Sequence, residues 1–546
     1  MTGAAATETD TRQAMDAACL AVLRLPRERD TLAALFRDRA ARFGDRPFLL
    51  YRDRVRTWRE TAAEAGAWAV RLRRQAQPGD RVAVMLPNCD SLVVLLLACA
   101  QAGLVFVPVN PDLTVPELGA VLAVATPALA IAAEPRRARL DQALADALPG
   151  ERTALILLDG DSLALPPLPP QGELPPQQAP AAGGDDPAAP LAIVFTSGTT
   201  GVPKGAVHAN RTYVTAAEIA AWRMRLCPED RVLVILPLFH LNALFYSVGG
   251  AILAGARLVV EARFSAATFW QTVARHGITQ VNMIAAVGNI LLKRDRAEFP
   301  GNATLRKVSA APVTKEAADA LAEAFGIRHV VESYGMTEAP GIAQVDFFDR
   351  GHRACLGRPI AHPLSGEPVS EIRIVDDRLA PLPAGTEGRI MFRATTLMQG
   401  YFNRPDLHDR LLPDGWFLTE DRGRMDAEGY VYFCGRTADL IRVRGENVSA
   451  AEVEGVLLTH PAVSEAACIG LPSDLGEEDL LAVIVPRPGA TVGAGEMAAH
   501  CRVRLSRHKV PRYFLLREAL PKTPTQKVAH HRLRAEPGLL ADAVEP

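Results

Sequence analysis

No apolar run in this sequence is long enough to cross a bilayer. The most apolar segment, residues 92–100, falls well short of the ~20 residues a spanning helix needs. The N-terminal stretch MTGAAATETDTRQAMDAACL carries acids and has no basic region followed by an apolar core, so it does not read as a secretory leader. An excess of one charge is missing too. Lys and Arg number 60 against 62 Asp and Glu, a formal net charge of −2, which leaves no basic face for coating duplex nucleic acid. Cysteine is sparse: eight residues are scattered singly through 546, with no C-x-x-C pair. Buried free thiols in a reducing compartment are expected, not disulfides or a zinc site. No repeat of solenoid period occurs, and His530-His531 has no ligand partners at metal-binding spacing. GAGEMA at 493–498 fits a loose dinucleotide pattern, but it follows a proline-rich loop and reads as a helix start. The expectation is a cytoplasmic protein with no membrane span and no nucleic-acid partner, with room for roughly three to four folding units.

What is present alternates regularly. RVAVMLP (81–87), a helical run at 91–102 and LVFVPVN (104–110) suggest strand, helix, strand. Residues 160–190, dense in proline and closed by GGDD, read as a surface loop or linker. Beyond it, β-rich runs recur at 191–196, 231–236, 257–260, 280–284, 307–310 and 329–334, with helix-period stretches such as TKEAADALAEAF (314–325) between most of them. This pattern predicts an α/β fold with doubly wound, parallel-rich sheets covered on both faces. From about 370 shorter strands suggest a β-rich subdomain. The last stretch reads as a smaller α+β domain, with Ser449 and Glu452 forming a capping box for a helix through Leu458.

The densest chemical signal is TSGTTGVPKG at 196–205, directly after a buried strand. Glycines allow close backbone approach, hydroxyls donate to oxygens, and Lys204 supplies charge, so Thr196, Ser197, Gly198, Thr199, Thr200 and Lys204 form a candidate polyphosphate cradle. It is not a Walker loop, because G-x-x-x-x-G-K-[ST] is absent.

This segment resembles the signature of the adenylate-forming superfamily of acyl-CoA synthetases, peptide-synthetase adenylation domains and beetle luciferases. SYGMTE (333–338), the stretch 416–421, Gly435-Arg436, RGEN (444–447) and PKTPTQK (521–527) follow in that family's order. The resemblance implies a two-step reaction. A carboxylic acid attacks the α-phosphate of ATP with Mg²⁺, giving an acyl-adenylate and pyrophosphate; coenzyme A then displaces AMP.

The same resemblance assigns roles. Thr337 contacts the α-phosphate, Glu338 holds Mg²⁺, Asp421 accepts the ribose hydroxyls and Arg436 contacts ribose or phosphate. Lys527 is the adenylation lysine, bridging carboxylate and α-phosphate, and His240 stands between the acyl pocket and ATP. Ala310, Ala311, Pro312, Ser333, Tyr334, Gly335 and Met336 line the nucleotide; Ala285 and Gly341, with His240, line the acyl pocket. Arg444, Gly445 and Glu446 take coenzyme A, with Gly445 letting the pantetheine chain pass close to the backbone. An N-terminal domain over 1–436 and a mobile C-terminal domain over 437–546 are implied, with Ala438 as hinge and the active site between them.

Departures from the family pattern fall at three places. Glu420 puts a charged residue beside Asp421, Ala438 replaces a polar hinge residue, and Arg444 precedes Gly445. The branch most resembled is that of crotonobetaine/carnitine-CoA ligases. No acidic residue in the pocket segments stands ready to pair a trimethylammonium, which leaves Trp222 or Trp270 as cation–π candidates. Two other readings stay open: an acyl-adenylating enzyme delivering to a carrier protein or amine, and a non-catalytic nucleotide-binding regulator. A homodimer is compatible with either.

Overall fold

The structure is a computed structural model. It describes the chain apart from residues 1–7, 26–27, 151–152, 161, 166–184, 197–202, 302–303, 312, 314, 350, 353–354, 437–439, 444–445, 473–477, 506 and 524–526, and apart from a few further side chains, among them those of residues 285, 436, 446 and 447. Most of the proline-rich stretch therefore lies outside the described residues. Two units are present: residues 1–372 with 392–417, and residues 373–391 with 418–546.

The first unit is built on two sheets of β-branched strands. One runs, in spatial order, His329–Val331, Lys307–Ala310, Gln280–Met283, Arg231–Val234, Arg257–Val260, Pro47–Tyr51 and Arg54–Thr57. All neighbours are parallel except the last pair. The other runs Ala154–Leu158, Leu129–Ala133, Arg81–Met85, Val105–Pro108, Pro190–Thr196 and Lys204–Ala209, parallel until an antiparallel final pair. Runs apolar on both faces demand helices on both sides. Asp90–Ala102, apolar around its whole circumference, is buried along nearly its entire length and packs against strands of both sheets. At its first turn the fully buried Asp90 is neutralised by Arg54 at 2.6 Å and by Arg56. The expected α/β architecture is therefore present.

Two local expectations are corrected, and one element is new. The run 329–334 is two strands in different sheets, His329–Val331 and Ser333–Met336. Glu332 breaks it: its side chain turns inward to accept the Val313 N–H at 3.3 Å, while its carbonyl accepts from Val345. Residues Asn242–Gly249 form a π-helix that no periodicity announced. At the helix Ala450–Leu458, Ser449 Oγ accepts the Glu452 N–H at 3.4 Å, but the Glu452 carboxylate pairs with Lys509 Nζ at 2.7 Å, a charge-assisted bond that outcompetes the reciprocal cap.

The second unit holds a three-stranded sheet of Val463–Pro472, Glu478–Pro486 and Tyr513–Leu516, the hairpin Leu440–Val443 with Glu446–Ser449, and the antiparallel pair Trp416–Met425 with Val431–Arg436, which enters from the first unit. GAGEMA opens the helix Ala494–Arg502 with Gly493 as its cap. All eight cysteines are free and six are buried. Burial pushes the Cys19 and Cys89 thiols up to about 12, so they stay protonated and unreactive. No helix among the described residues is long and apolar enough to cross a membrane.

Candidate active site

Four adjacent parallel strands of the seven-stranded sheet end in the segments singled out from the sequence. Val234 leads to His240, Met283 to Ala285, Ala310 to Ala311, and Val331 to Ser333. The carboxyl edge of such a sheet is where ligands bind in open α/β folds, because helix starts and loops converge there without blocking strands. Met283 and Ala310 sit in register across it. His240, half-buried, packs its ring 4.4 Å from that of Phe239 and leads into the π-helix.

Ser333–Met336 and Ala339–Gln344 form an antiparallel hairpin whose tip is Thr337-Glu338. Gly335 sits at its irregular step, where a Cβ would come 2.7 Å from Tyr246 Oη and 3.0 Å from the Gly341 nitrogen. Gly341 itself has φ +77 and donates its N–H to Tyr246 Oη at 2.8 Å. The hairpin is thus docked on the π-helix, joining the segments of His240 and Gly341.

The tip is held at three points. His208 Nε2 donates to the Thr337 carbonyl at 2.7 Å, the Met398 N–H to the Glu338 carbonyl at 2.7 Å, and Tyr401 Oη to Glu338 Oε1 at 2.6 Å. His208 lies on the strand that begins at the buried Lys204, four residues on and therefore on the same face. Backbone bonds Gln399 to Val207, Val207 to Gly400 and Phe402 to Gly205 lace residues 398–402 to that strand. Lys204 and the Thr337-Glu338 tip, 133 residues apart in sequence, become parts of one hydrogen-bonded assembly.

In the second unit Asp421 is buried, its N–H donating to Thr419 Oγ1 at 3.0 Å while that hydroxyl donates to the Ile390 carbonyl at 2.6 Å. Arg436 is its register partner on the neighbouring strand. Glu420, feared as an intruder beside Asp421, belongs to the opposite face by strand alternation, with Thr419 and Asp421 buried and Glu420 less so. Lys527 is exposed, its loop closed by Thr523 N–H to the Lys527 carbonyl at 2.8 Å and Lys527 N–H to Thr523 Oγ1 at 3.2 Å.

The profile described as AMP-binding enzyme matches residues 36–402, and that described as AMP-binding enzyme C-terminal domain matches residues 452–527. This chain belongs to the AMP-binding enzyme family. It is 34% identical to a sulfoacetate–CoA ligase of Cupriavidus necator over 92% of this chain and 97% of that protein. It is 30% identical to a crotonobetaine/carnitine–CoA ligase of Shigella dysenteriae over 84% and 88%. The crystal structure of ATP-bound MatB from Rhodopseudomonas palustris superposes with a TM-score of 0.81 at 25% identity, covering 92% of this chain and 98% of that one.

Several candidates of this AMP-binding enzyme lie outside the described residues: Ser197, Gly198, Thr199, Thr200, Pro312, Ala438, Arg444 and Gly445, with the side chains of Ala285, Arg436 and Glu446. The two tryptophans are engaged elsewhere. Arg225 lies over the Trp222 ring at 3.5 Å, and Trp270 is buried among Phe269, Phe299 and Phe325.

His208 and Tyr401 were not picked out from the sequence. The one available signal for His208 was period-2 spacing from Lys204. Because it donates to a carbonyl, His208 carries its proton on Nε2, and its buried Nδ1 has no hydrogen-bond partner among the described residues. Burial lowers its pKa from 6.5 to about 4. The unfolded chain then takes up this proton before the native one does, so the neutral ring contributes stability above pH ~6.5 that is lost as pH falls towards ~4. His208→Gln, whose Nε2 can reach the same carbonyl, is expected to keep activity within about tenfold at pH 7. It should also lose roughly 2 kcal/mol less stability than wild type between pH 8 and pH 5. Denaturant melts at the two pH values check this; equal losses would remove His208 as the titrating group.

Proposed function

We propose that this chain is an AMP-forming acid–CoA ligase. The acid's carboxylate oxygen attacks the α-phosphorus of ATP, a P–O bond forms as the bond to pyrophosphate breaks, and the acyl group becomes activated as a mixed anhydride. The thiolate of coenzyme A then attacks the acyl carbon, forming the thioester as AMP departs. A carboxylate oxygen is a poor leaving group and AMP a good one, so ATP cleavage drives the second step.

The protein's part is to position and neutralise. In this reading Lys204 and the hydroxyl–glycine loop from Thr196 hold the outer phosphates. Thr337 donates to the α-phosphate, Asp421 holds the ribose, and Lys527 sits between the two anions that must meet. Mg²⁺ would be held by Glu338, whose Oε1 is steadied by Tyr401 and whose Oε2 is left for a hard cation; it would supply charge neutralisation. Among the described residues no cluster of three or more His, Cys, Asp or Glu could hold a metal. The donor set fits an ion bound mainly through substrate phosphates and water. Arg444, Gly445 and Glu446 receive coenzyme A, and alternation of the C-terminal part about Ala438 serves the two steps; a hinge needs backbone freedom, which alanine permits.

The observation that carries this reading is the assembly of Lys204's strand with the Thr337-Glu338 tip in a member of this family. It is tested by assaying a panel of carboxylic acids for AMP release with and without coenzyme A. AMP formation dependent on acid and stimulated by coenzyme A is expected. Pyrophosphate release indifferent to coenzyme A would transfer the second step to another nucleophile, and no acid-dependent release would overturn the reading.

A further inference from the structure

Three arginines are buried in the first unit, and two have ordinary partners. Arg39 donates to the carbonyls of Leu253 and Val22, and Arg225 pairs with Asp16 and Asp346. Arg223 differs. It ends the helix Asn210–Arg223 with 1% exposure, and neither Nε nor Nη1 has a hydrogen-bond partner among the described residues. Its neighbour is Tyr246, whose ring lies 4.6 Å from the guanidinium carbon and whose hydroxyl is within hydrogen-bonding reach of the guanidinium. A cation–π contact recovers only part of the desolvation of a full positive charge, and a buried guanidinium ordinarily has a carboxylate or a set of carbonyls around it.

Its place in the fold suggests where the missing anion comes from. Tyr246 Oη accepts the Gly341 N–H, and Gly341 stands three residues beyond Glu338. One helical turn before Arg223, Ile219 faces the same residue, since a Cβ at Gly341 would come 3.0 Å from Ile219 Cδ1. The helix face carrying 219 and 223 thus lies behind the π-helix and hairpin that frame the acid site. Polar side chains also tie the strand Gln280–Met283 to the start of the π-helix: Asn282 Nδ2 donates to Asn242 Oδ1 at 3.0 Å, and Gln280 Nε2 to Asn282 Oδ1 at 2.6 Å.

We infer that Arg223 receives a second anionic group of the acid, remote from the carboxylate that is activated, so that the preferred substrates are short acids with two anionic ends. This rests on the acid–CoA ligase reading. The planar guanidinium offers a two-pronged donor matched to a carboxylate or sulfonate. A monocarboxylate of the same length would leave the charge unneutralised.

The test is calorimetric binding to the full chain with ATP present and Mg²⁺ withheld so that no adenylate forms, using malonate and succinate against propionate and butyrate. Diacids are expected to bind at least tenfold tighter. Arg223→Gln should erase that preference while leaving ATP binding intact, and Arg223→Lys should retain part of it. Should Arg223→Gln fail to bind ATP and so prove misfolded, the wild-type preference and Arg223→Lys decide. Equal affinity for diacids and monoacids, or a preference that survives in Arg223→Gln, overturns the inference. Binding does not depend on turnover, so a chain that favours diacids yet never forms AMP would sink the ligase reading alone.

Discussion

Lys527→Ala is expected to lower acyl-adenylate formation by about a thousandfold or more, roughly 4 kcal/mol of lost transition-state stabilisation, with ATP binding nearly unchanged. Two anions, the acid carboxylate and the α-phosphate, must approach within bonding distance, and their repulsion is largest as the new P–O bond forms. A single ammonium between them acts mainly on that state and little on bound ATP, which is why rate and affinity should separate. Both hydrogen bonds that close the loop use groups alanine keeps: the Lys527 carbonyl accepts from Thr523, and the Lys527 N–H donates to Thr523 Oγ1. Lys527→Arg retains charge but replaces a compact ammonium with a broad fork, so partial activity follows. Pyrophosphate release with saturating acid and ATP is the measurement. Supplying preformed acyl-adenylate and coenzyme A should restore thioester formation in the alanine variant. Wild-type pyrophosphate release from Lys527→Ala would remove the residue from the chemistry.

How much of this was readable beforehand depends on range. Parallel strands announced themselves because burial on both faces leaves continuous apolar runs, as in RVAVM and RVLV. Motif residues such as Lys204, Thr337, Glu338 and Asp421 were legible because their chemistry is dense and local. What escaped depends on contacts made across the fold. The break at Glu332 needs Val313 and Val345 as partners. The roles of His208 and Tyr401 appear only when the hairpin tip arrives from elsewhere in the chain. Arg223 ends an unremarkable helix in the sequence, and only packing reveals that its Nε and Nη1 have no hydrogen-bond partner among the described residues. Glu420 is the reverse case, since strand alternation alone already places it away from Asp421.

Glu338→Gln should cost about a hundred- to a thousandfold in adenylation, roughly 3–4 kcal/mol, and should shift the requirement for Mg²⁺ to higher concentration. The amide keeps a carbonyl oxygen to accept from Tyr401 Oη, and the Glu338 main-chain carbonyl still accepts from Met398, so the hairpin tip stays in place. What disappears is one negative charge, and hard divalent cations bind neutral amide oxygens far less well than carboxylates. Tyr401→Phe separates the two contributions. It removes the hydroxyl that aims the carboxylate but leaves the charge, so a loss of only about tenfold follows, the scale of one charge-assisted hydrogen bond. The decisive measurement is pyrophosphate release titrated against free Mg²⁺ for all three proteins. If glutamine left the Mg²⁺ dependence unaltered, Glu338 would not be holding the ion, whatever happened to the rate.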